Sequence, residues 1–340
     1  MRSLSNSPAQ RNAPRPSSPG GHPPTLYRPV SHDEIDHALR LILATDRKVA
    51  SDEQVLDFLN FALSRRMDLS QIRVAEQAGR VVWAVMPVIS PGRTMLLLSP
   101  PRISRQLSDT VAPQLVEHVV AHFAGEGIQL AQALIDPREK GAIALYQLCG
   151  FERLAELIYL HRAVRASNYP ALPDGHHWTF YAPQTHAAFG RAISASYAGS
   201  LDCPSLNGRR GIEDVIAGHK AAGDFDPRLW HLLCAEGEDE PLGVLLLARS
   251  ARSDALELVY LGIHPAARGQ GLGELMMRQA LAVAGASGCG LLSLAVDSRN
   301  APALKLYYRS GMSRVCSRIA LLRDLRGEKP SAVSHQPSAR

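Results

Sequence analysis

The chain has 340 residues, of which 46% are hydrophobic and 20% charged, and a formal net charge of +5. That length suits two domains, each able to bury a core of its own. No apolar run reaches membrane-spanning length and no N-terminal apolar segment marks secretion, so we do not expect an integral membrane or secreted protein.

The basic charge lies at the two ends of the chain. Residues 1–30 carry +4 and residues 323–340 carry +2, which together exceed the total of +5, so the remainder carries −1. A basic face for nucleic acid is therefore not implied, and we expect neither a nucleic-acid nor a membrane partner.

Cysteine and histidine spacing gives no sign of a metal or a disulfide framework. The five cysteines are scattered without a Cys-x-x-Cys pair, and the histidines show no ligand spacing. We expect reduced thiols, a cytoplasmic location and no metal.

The two ends are rich in polar residues that have little to bury. Residues 1–24 combine Ser, Pro, Arg and Gly, and we predict a disordered tail there and another over 325–340. A transit peptide is the alternative for the N-terminal end, but its prolines oppose an amphipathic helix.

Residues 25–162 predict a first α/β domain. A Ser-x-x-Glu capping signature at Ser31 opens its first helix. We predict strands over 26–30, 70–76, 80–88, 93–98, 129–135 and 151–161. Helices are predicted over 31–44, 52–65, 108–123 and 139–149.

A linker over 163–175 leads to a second domain, 176–324, in which the order of elements repeats. Its predicted strands cover 177–181, 230–236, 241–249, 256–263, 290–297 and 312–321. Helices are predicted over 184–196, 211–222, 271–286 and 301–310.

The two halves also match residue by residue. Aligning Tyr146 with Tyr307 brings Gly150 onto Gly311 and Asp136 onto Asp297. We therefore predict an α/β (α+β) protein with two tandem copies of one fold, each a mixed central sheet flanked by helices.

The strand predicted over 256–263 runs into a glycine loop that opens the helix over 271–286. Free N–H groups and the positive dipole end at a helix N-terminus favour phosphate, and glycines allow close approach. The loop lacks the Gly-Lys-Ser/Thr of a Walker motif and the spacing of a dinucleotide fingerprint. Asp297, at the end of the next strand, keeps the dinucleotide alternative open as a possible ribose-binding acid.

Two segments carry a resemblance to a known family. Arg268-Gly269-Gln270-Gly271-Leu272-Gly273 fits the pattern Arg/Gln-x-x-Gly-x-Gly/Ala, and Leu306-Tyr307 with Gly311 follows at the expected distance. In both, the chain resembles the GNAT superfamily of acetyl-CoA-dependent N-acyltransferases. The resemblance implies that residues 268–273 bind the pyrophosphate of coenzyme A, with acetyl-CoA as co-substrate.

The first copy departs from this pattern. Opposite the glycine loop stands Leu107–Ala112, which has no glycine and carries Asp109, and opposite Asn300 stands Glu139. Carboxylates oppose pyrophosphate binding, and β-branched residues cannot take glycine's conformations. We predict a degenerate first half that does not bind acetyl-CoA productively.

Glu257 is the candidate general base. Period-two alternation places Glu257, Val259, Leu261 and Ile263 on one face of the strand. A carboxylate in an apolar strand has a raised pKa and can accept the ammonium proton directly or through water, and an acid here is a recurrent base in the family. The alternative is a solvated glutamate at the start of the strand.

Gly262 stands near the end of an otherwise bulky strand and suggests a bulge or a close ligand approach. In the family this strand splays from its parallel neighbour, and the pantetheine arm pairs with its free backbone. By that resemblance Leu261, Gly262 and Ile263 would supply those groups, including an N–H that polarises the acetyl carbonyl. The alternative is a glycine tolerated for packing.

Tyr307 is the candidate general acid by the same resemblance, since a phenol can protonate a departing thiolate. Its alternative is a core tyrosine, as Tyr146 would be in the first half. Asn300 either contacts the cofactor or caps the helix that follows. In the variable acceptor region, Asp202 or Asp226 could bind a cationic substrate and Arg209 or Arg210 an anionic one, although each could equally be solvated.

Two functions follow from these features. The first is acetyl-CoA-dependent N-acetylation of a primary amine on a small molecule or a peptide, by a monomer or homodimer. Its tandem layout is similar to that of mycothiol synthase, which acetylates a cysteinyl amine on a small glycoside; acetylation of protein N-termini or of an antibiotic amine are alternatives. The second function is an acyl-CoA-binding sensor or scaffold without turnover, which would need neither Glu257 nor Tyr307.

Overall fold

The computed structural model describes residues 24–45, 49–101, 108–250 and 254–327. The predicted tails, apart from Pro24 and residues 325–327, lie outside these residues, as does the transit-peptide alternative. The strands are β1 Thr25–Pro29, β2 Arg73–Gln77, β3 Arg80–Ser90, β4 Thr94–Leu98, β5 Leu130–Ile135, β6 Glu152–Ala163, β7 His176–Phe180, β8 Trp230–Ala235, β9 Gly243–Arg249, β10 Ala255–Ile263, β11 Leu291–Asp297 and β12 Ser313–Asp324. The helices are α1 Ile35–Ile42, α2 Asp52–Ser64, α3 Val111–Gly125, α4 Lys140–Leu148, α5 His186–Ser196, α6 Ile212–Ala221, α7 Leu272–Ala286 and α8 Ala301–Arg309.

These elements follow the predicted order, with small differences at their ends. The capping signature is present: Ser31 N–H donates to Glu34 Oε2 at 3.0 Å, but a 3₁₀ turn precedes α1. The strand predicted from residue 70 begins only at Arg73, because residues 69–71 form a 3₁₀ turn in which the Ser70 N–H donates to Asp68 Oδ1 at 3.0 Å.

All twelve strands of the described residues join one mixed sheet, in the order β1-β2-β3-β4-β5-β12-β6-β11-β10-β9-β8-β7. The two halves lie side by side in it, and helices cover both faces. A mixed α/β fold with two tandem copies is confirmed.

The last strands of the two halves are exchanged. β12, from the second half, pairs with β5 over 319–324, while β6, from the first half, pairs with β11 over 157–163. β6 and β12 also pair with each other. Each half therefore completes its part of the sheet with a strand from the other half. The sheet is continuous across the predicted linker, and the domain boundaries at residues 162 and 176 remain predictions.

The hydrophobic cores follow the same exchange. Ile319 and Leu321 of β12 are buried in the core of the first half, against α3 and α4. Leu325, just beyond β12, is buried there too, and its N–H donates to Gln129 O at 2.8 Å. Ile158 and Leu160 of β6 are buried in the core under α7.

This exchange predicts that a cavity cut into β12 destabilises the first half. Leu321 is 1% exposed, so we expect Leu321→Ala to lower the free energy of unfolding by about 2–5 kcal/mol in urea titrations. Leu148→Ala is the control, since that leucine is 75% exposed and should cost less than about 0.5 kcal/mol. Equal, small losses in both variants would contradict the observed placement of β12.

Candidate active site

The candidate site lies where β10 and β11 separate. The two parallel strands pair only from Ala255 to Leu258 on β10, and beyond that point no strand among the described residues pairs with the β11 side of β10. The resulting cleft has a volume of about 280 Å³. Its walls include the end of β10, the glycine loop, the start of α8 and the loop after α5.

The glycine loop presents a row of free N–H groups to this cleft. Gly269 and Gly271 have φ values of +80° and +79°, which only glycine adopts without strain, and Gly271 is the N-cap of α7. Within the described chain, none of the N–H groups of residues 269–273 donates a hydrogen bond. Together with the dipole of a fifteen-residue helix, they make a site for an anion.

The other loop residues predicted to bind cofactor have different positions. Arg268 donates to Ser196 O at 2.8 Å and to Ile263 O at 3.2 Å, so its guanidinium ties the loop to α5 and β10. Gln270 donates to Ala266 O at 3.2 Å. Leu272 buries its side chain, and only the backbone of this residue faces the loop. Gly273 lines the cleft, where a Cβ would lie 3.4 Å from Leu306 Cδ2.

A β-bulge at Val259 corrects the predicted alternation along β10. Leu258 pairs with Leu247 of β9 and Tyr260 with Leu246, so Val259 is an extra residue. Leu261 and Ile263 consequently pack on the α7 side of the sheet. The prediction that Glu257 shares a face with them was wrong, because period two does not survive the inserted residue.

Gly262 is required by close packing on the other face. A Cβ there would lie 2.4 Å from Ser196 Oγ and 2.8 Å from Tyr260 Cε1. Gly262 itself pairs in regular register with Val244 of β9, so the strand has no bulge at this glycine; the bulge lies three residues earlier. Leu261, Gly262 and Ile263 all line the cleft.

Glu257 lies at the closed end of the split, opposite Ser293 of β11. Its neighbours Leu256 and Leu258 are buried under α7, so its side chain points to the opposite face of the sheet and does not line the cleft. Burial raises the pKa of Glu257, and the positive charge of Arg65, at the end of α2, opposes that rise. In the described residues its carboxylate forms no hydrogen bond or ion pair.

Tyr307 approaches the split from the α7 side. It is 8% exposed and lines the cleft, and burial raises the pKa of its hydroxyl further above the ordinary value, with Asp202 adding to the rise. Its hydroxyl has no hydrogen-bond partner within the described residues. Its counterpart Tyr146 is fully buried and donates to Ser99 Oγ at 3.0 Å. The two tyrosines differ, since only that of the first half has a satisfied hydroxyl.

Asn300 is a helix cap in a position to contact a ligand. Its Oδ1 accepts from Ala303 N–H at 3.3 Å at the start of α8, and the residue lines the cleft. Both roles considered for it are therefore compatible with the geometry.

Asp297 holds the loop after α5 in place and is not a ribose ligand. It is fully buried, pairs with Arg299 at 2.6 Å and accepts from Cys203 N–H at 3.2 Å. The Asp297 N–H donates to Asp202 Oδ1 at 3.0 Å. This network leaves the Asp297 carboxylate no free oxygen for a ribose, which removes the dinucleotide alternative.

Sequence reasoning missed several residues of the cleft, including Ser196 and Tyr260. The Tyr260 hydroxyl lies 2.8 Å from Ser196 Oγ, and Tyr197 packs edge-on against its ring at 5.9 Å. The position of Tyr260 depends on the bulge, which no motif in the sequence places at Val259. Of the acceptor candidates only Asp202 lines the cleft: Asp226 pairs with Arg228, and Arg209 lies within 3.7 Å of Glu152 and Asp324.

No group of three or more His, Cys, Asp or Glu side chains among the described residues is placed to hold a metal ion. No helix in these ranges is both long and apolar enough to span a bilayer.

Comparison with known proteins agrees with this geometry. The sequence model of the Acetyltransferase (GNAT) family matches residues 200–312. The chain is 30% identical over 227 residues to the mycothiol acetyltransferase of Streptomyces avermitilis, a match that covers 61% of this chain and 71% of that protein. It is 34% identical over 179 residues to the mycothiol acetyltransferase of Kineococcus radiotolerans, which covers 52% and 56% of the two chains.

Two solved structures share the fold over most of the chain. A GCN5-related N-acetyltransferase from Sphaerobacter thermophilus superposes with a TM-score of 0.59 at 16% identity, covering 88% of this chain and 96% of that one. A tandem GNAT protein from the clavulanic acid biosynthesis pathway gives a TM-score of 0.51 at 14% identity, covering 89% and 99%. The predicted resemblance is confirmed: the chain belongs to the GNAT family of N-acetyltransferases and is an enzyme of that family.

Proposed function

We propose that this enzyme transfers the acetyl group of acetyl-CoA to a primary amine of a small molecule, in the cleft between β10 and β11. The observation that carries the proposal is the row of unpaired N–H groups at residues 269–273, beside a split strand pair. A thioester supplies an activated acyl group, and the protein must bind its diphosphate, hold its carbonyl and manage two protons.

The residues present fit acetyl-CoA. The glycine loop offers a diphosphate its free N–H donors and two glycines with left-handed backbone conformations. A Cβ at Gly269 or Gly271 would meet no atom within 4 Å, so the space beside the loop is open. The unpaired edge of β10 offers backbone groups of Leu261, Gly262 and Ile263 to an extended amide-bearing chain. One of these N–H groups can stabilise the carbonyl oxygen as it gains negative charge.

Glu257 would take the proton of the acceptor amine. It points to the face of the sheet away from α7, where the positive charge of Arg65 opposes the rise that burial causes in its pKa. Burial also raises the pKa of Tyr159, and the charge of Glu257 adds to that rise. On that face the two halves meet, and Arg65, just after α2, lies 3.5 Å from Asp224 of the second half. The amine would approach from between the halves, lose its proton to Glu257 and attack the carbonyl through the split.

Tyr307 would protonate the leaving thiolate. Its raised pKa keeps the phenol protonated at neutral pH, and its free hydroxyl has no competing protein acceptor in the described residues. The C–N bond forms first, after the ammonium has given one proton to Glu257. As the C–S bond then breaks, Tyr307 would donate its proton to the sulfur and take back the second proton from the new amide nitrogen, so that one proton in total leaves through Glu257. Asn300, Arg268 and Gln270 would hold the loop and the start of α8 in place around the cofactor.

The acceptor class is proposed from the named relatives. Both carry the name mycothiol acetyltransferase, and the tandem layout is similar to that of an enzyme that acetylates a cysteinyl amine on a small glycoside, so such an amine is the first candidate. A panel should compare kcat/KM for such a cysteinyl glycoside, a peptide N-terminus and a free amino sugar. We expect the cysteinyl glycoside to lead by at least about tenfold, and a leading peptide would assign the enzyme to protein N-termini instead.

Removing the Tyr307 hydroxyl should slow turnover without disturbing the fold. Tyr307→Phe keeps the ring in the core, so we expect kcat to fall by roughly a hundredfold while acetyl-CoA affinity changes little. Tyr146→Phe is the matched control in the first half, and it should cost stability but leave kcat unchanged. Equal kcat in wild type and Tyr307→Phe would make water the acid.

The first half should add no second productive cofactor site. In the described part of the segment opposite the glycine loop, residues 108–112, there is no glycine, and Leu107 lies outside the described residues. Calorimetry on the whole chain should give one acetyl-CoA per chain. A stoichiometry of two that Gly271→Val lowers to one would place a second site in the first half.

A further inference from the structure

A second cleft lies on the α7 side of the sheet, at the opposite end of that helix from the glycine loop. Its volume is about 660 Å³, within the range of small-molecule sites. The segment 169–172 closes one side, and β7, β8 and the last turns of α7 form the others. None of its lining residues lines the cleft between β10 and β11.

Aromatic rings form the walls of this second cleft. Tyr169 is 56% exposed and Phe180 is 50% exposed, and both line it together with Trp178. Large apolar side chains left open to solvent around one concavity mark a binding surface more often than single exposed residues do. The walls suit a flat ring.

Two buried polar groups without partners belong to the same cleft. Gln279, 3% exposed on α7, and His231, 1% exposed on β8, both line it. Among the described residues, Gln279 Oε1 and His231 Nδ1 have no hydrogen-bond partner. His231 Nε2 lies 2.9 Å from Arg228 O, a carbonyl that can only accept, so Nε2 carries the proton and Nδ1 is an acceptor. The cleft therefore contains two hydrogen-bond acceptors, Gln279 Oε1 and His231 Nδ1, that a ligand donor could satisfy.

The charge around the cleft is positive. Arg228, Arg249 and Asp226 line it, and Asp226 pairs with Arg228 at 2.7 Å. Arg249 donates to Ser287 O at 3.4 Å and has no acidic side chain as ion-pair partner in the described ranges. Two guanidinium groups against one carboxylate leave a net charge of +1 for an anionic ligand.

We propose that this second cleft binds a small aromatic acid that carries a ring N–H or hydroxyl donor. The aromatic walls would hold the ring, Gln279 and His231 would accept the donor, and Arg228 or Arg249 would pair with the carboxylate. This site is independent of the transfer reaction, so it stands or falls separately from the proposed function.

The test uses indole-3-acetate as probe, with the full-length enzyme in a calorimeter. Its 1-methyl derivative keeps the ring and the acid but lacks the N–H, and 3-methylindole keeps the N–H but lacks the acid. We expect indole-3-acetate to bind one site per chain and each of the other two to bind roughly tenfold more weakly. Saturating acetyl-CoA should not compete.

Two variants assign the binding to the cleft. Gln279→Leu replaces one acceptor with an apolar side chain of similar size. It should weaken the binding of indole-3-acetate about tenfold and reduce the difference in affinity between this probe and its 1-methyl derivative. Ala286→Trp, at an exposed position in the lining, should block the cleft and abolish binding. Both variants should keep wild-type kcat.

The proposal is overturned by three results. One is the absence of indole-3-acetate binding at millimolar concentration, which would leave the cleft to water. Another is competition by acetyl-CoA, which would place the probe in the β10–β11 cleft. The third is unchanged affinity in both variants, which would place it elsewhere on the surface.

Discussion

Glu257→Gln is expected to reduce turnover by about a hundredfold or more while leaving affinity for acetyl-CoA unchanged. Glutamine has the size of glutamate but cannot take the ammonium proton. A loss of about a hundredfold or more is the usual rate contribution of a positioned base. Glu257 does not line the cleft, so cofactor contacts should survive. Steady-state thiol release measures the first quantity and calorimetry the second. A matching loss of cofactor binding would make Glu257 a structural residue.

The pH dependence separates a base from a structural carboxylate. Because burial raises the pKa of Glu257, kcat/KM should fall with decreasing pH through a value above the ordinary glutamate pKa of about 4.3. Arg65→Gln removes the opposing charge, so this acid limb should move to higher pH. In Glu257→Gln the limb should vanish, and the deficit should shrink at high pH, where free amine is abundant. An acid limb that persists in Glu257→Gln would assign the proton to another group.

Gly271→Val is expected to abolish acetyl-CoA binding, with affinity lowered at least about a hundredfold, while the fold remains. Valine at φ +79° is strained by about 1–3 kcal/mol. Relief of that strain would turn the N–H groups of the glycine loop away from the diphosphate. No atom lies within 4 Å of the added Cβ, so no core contact is lost. Calorimetry measures the affinity and circular dichroism the fold.

Gly288→Val is the matched control at the other end of α7. Gly288 has a φ of +72° and the same open space around an added Cβ. Its substitution should cost similar stability but leave acetyl-CoA affinity at the wild-type value. Equal affinities in Gly271→Val and wild type would show that the diphosphate binds elsewhere.

The elements and the glycine loop were predictable because their causes are local. Hydrophobic period, caps and positive-φ glycines act within a few residues, and Gly271 is the N-cap of α7 where the loop pattern placed it. The internal match also held at side-chain level: Asp136 pairs with Arg138 at 2.9 Å as Asp297 pairs with Arg299.

Features that depend on distant contacts were not predictable. The bulge at Val259 reversed the faces of Leu261 and Ile263, because strand alternation assumes an unbroken ladder. The exchange of β6 and β12 pairs each of them with a strand far away in the chain, which local patterns do not specify. The role of Asp297 required the loop after α5 to fold over it, which no motif encodes.

The central claim is acetyl transfer from acetyl-CoA to an amine, and the most direct measurement follows both products at once. Wild-type enzyme with acetyl-CoA and a pool of primary amines, the cysteinyl glycoside among them, should release free thiol and form one N-acetyl product per thiol by mass spectrometry. Glu257→Gln should do so about a hundredfold more slowly at neutral pH. Thiol release that does not depend on amine, or no release although acetyl-CoA binds, would contradict the claim.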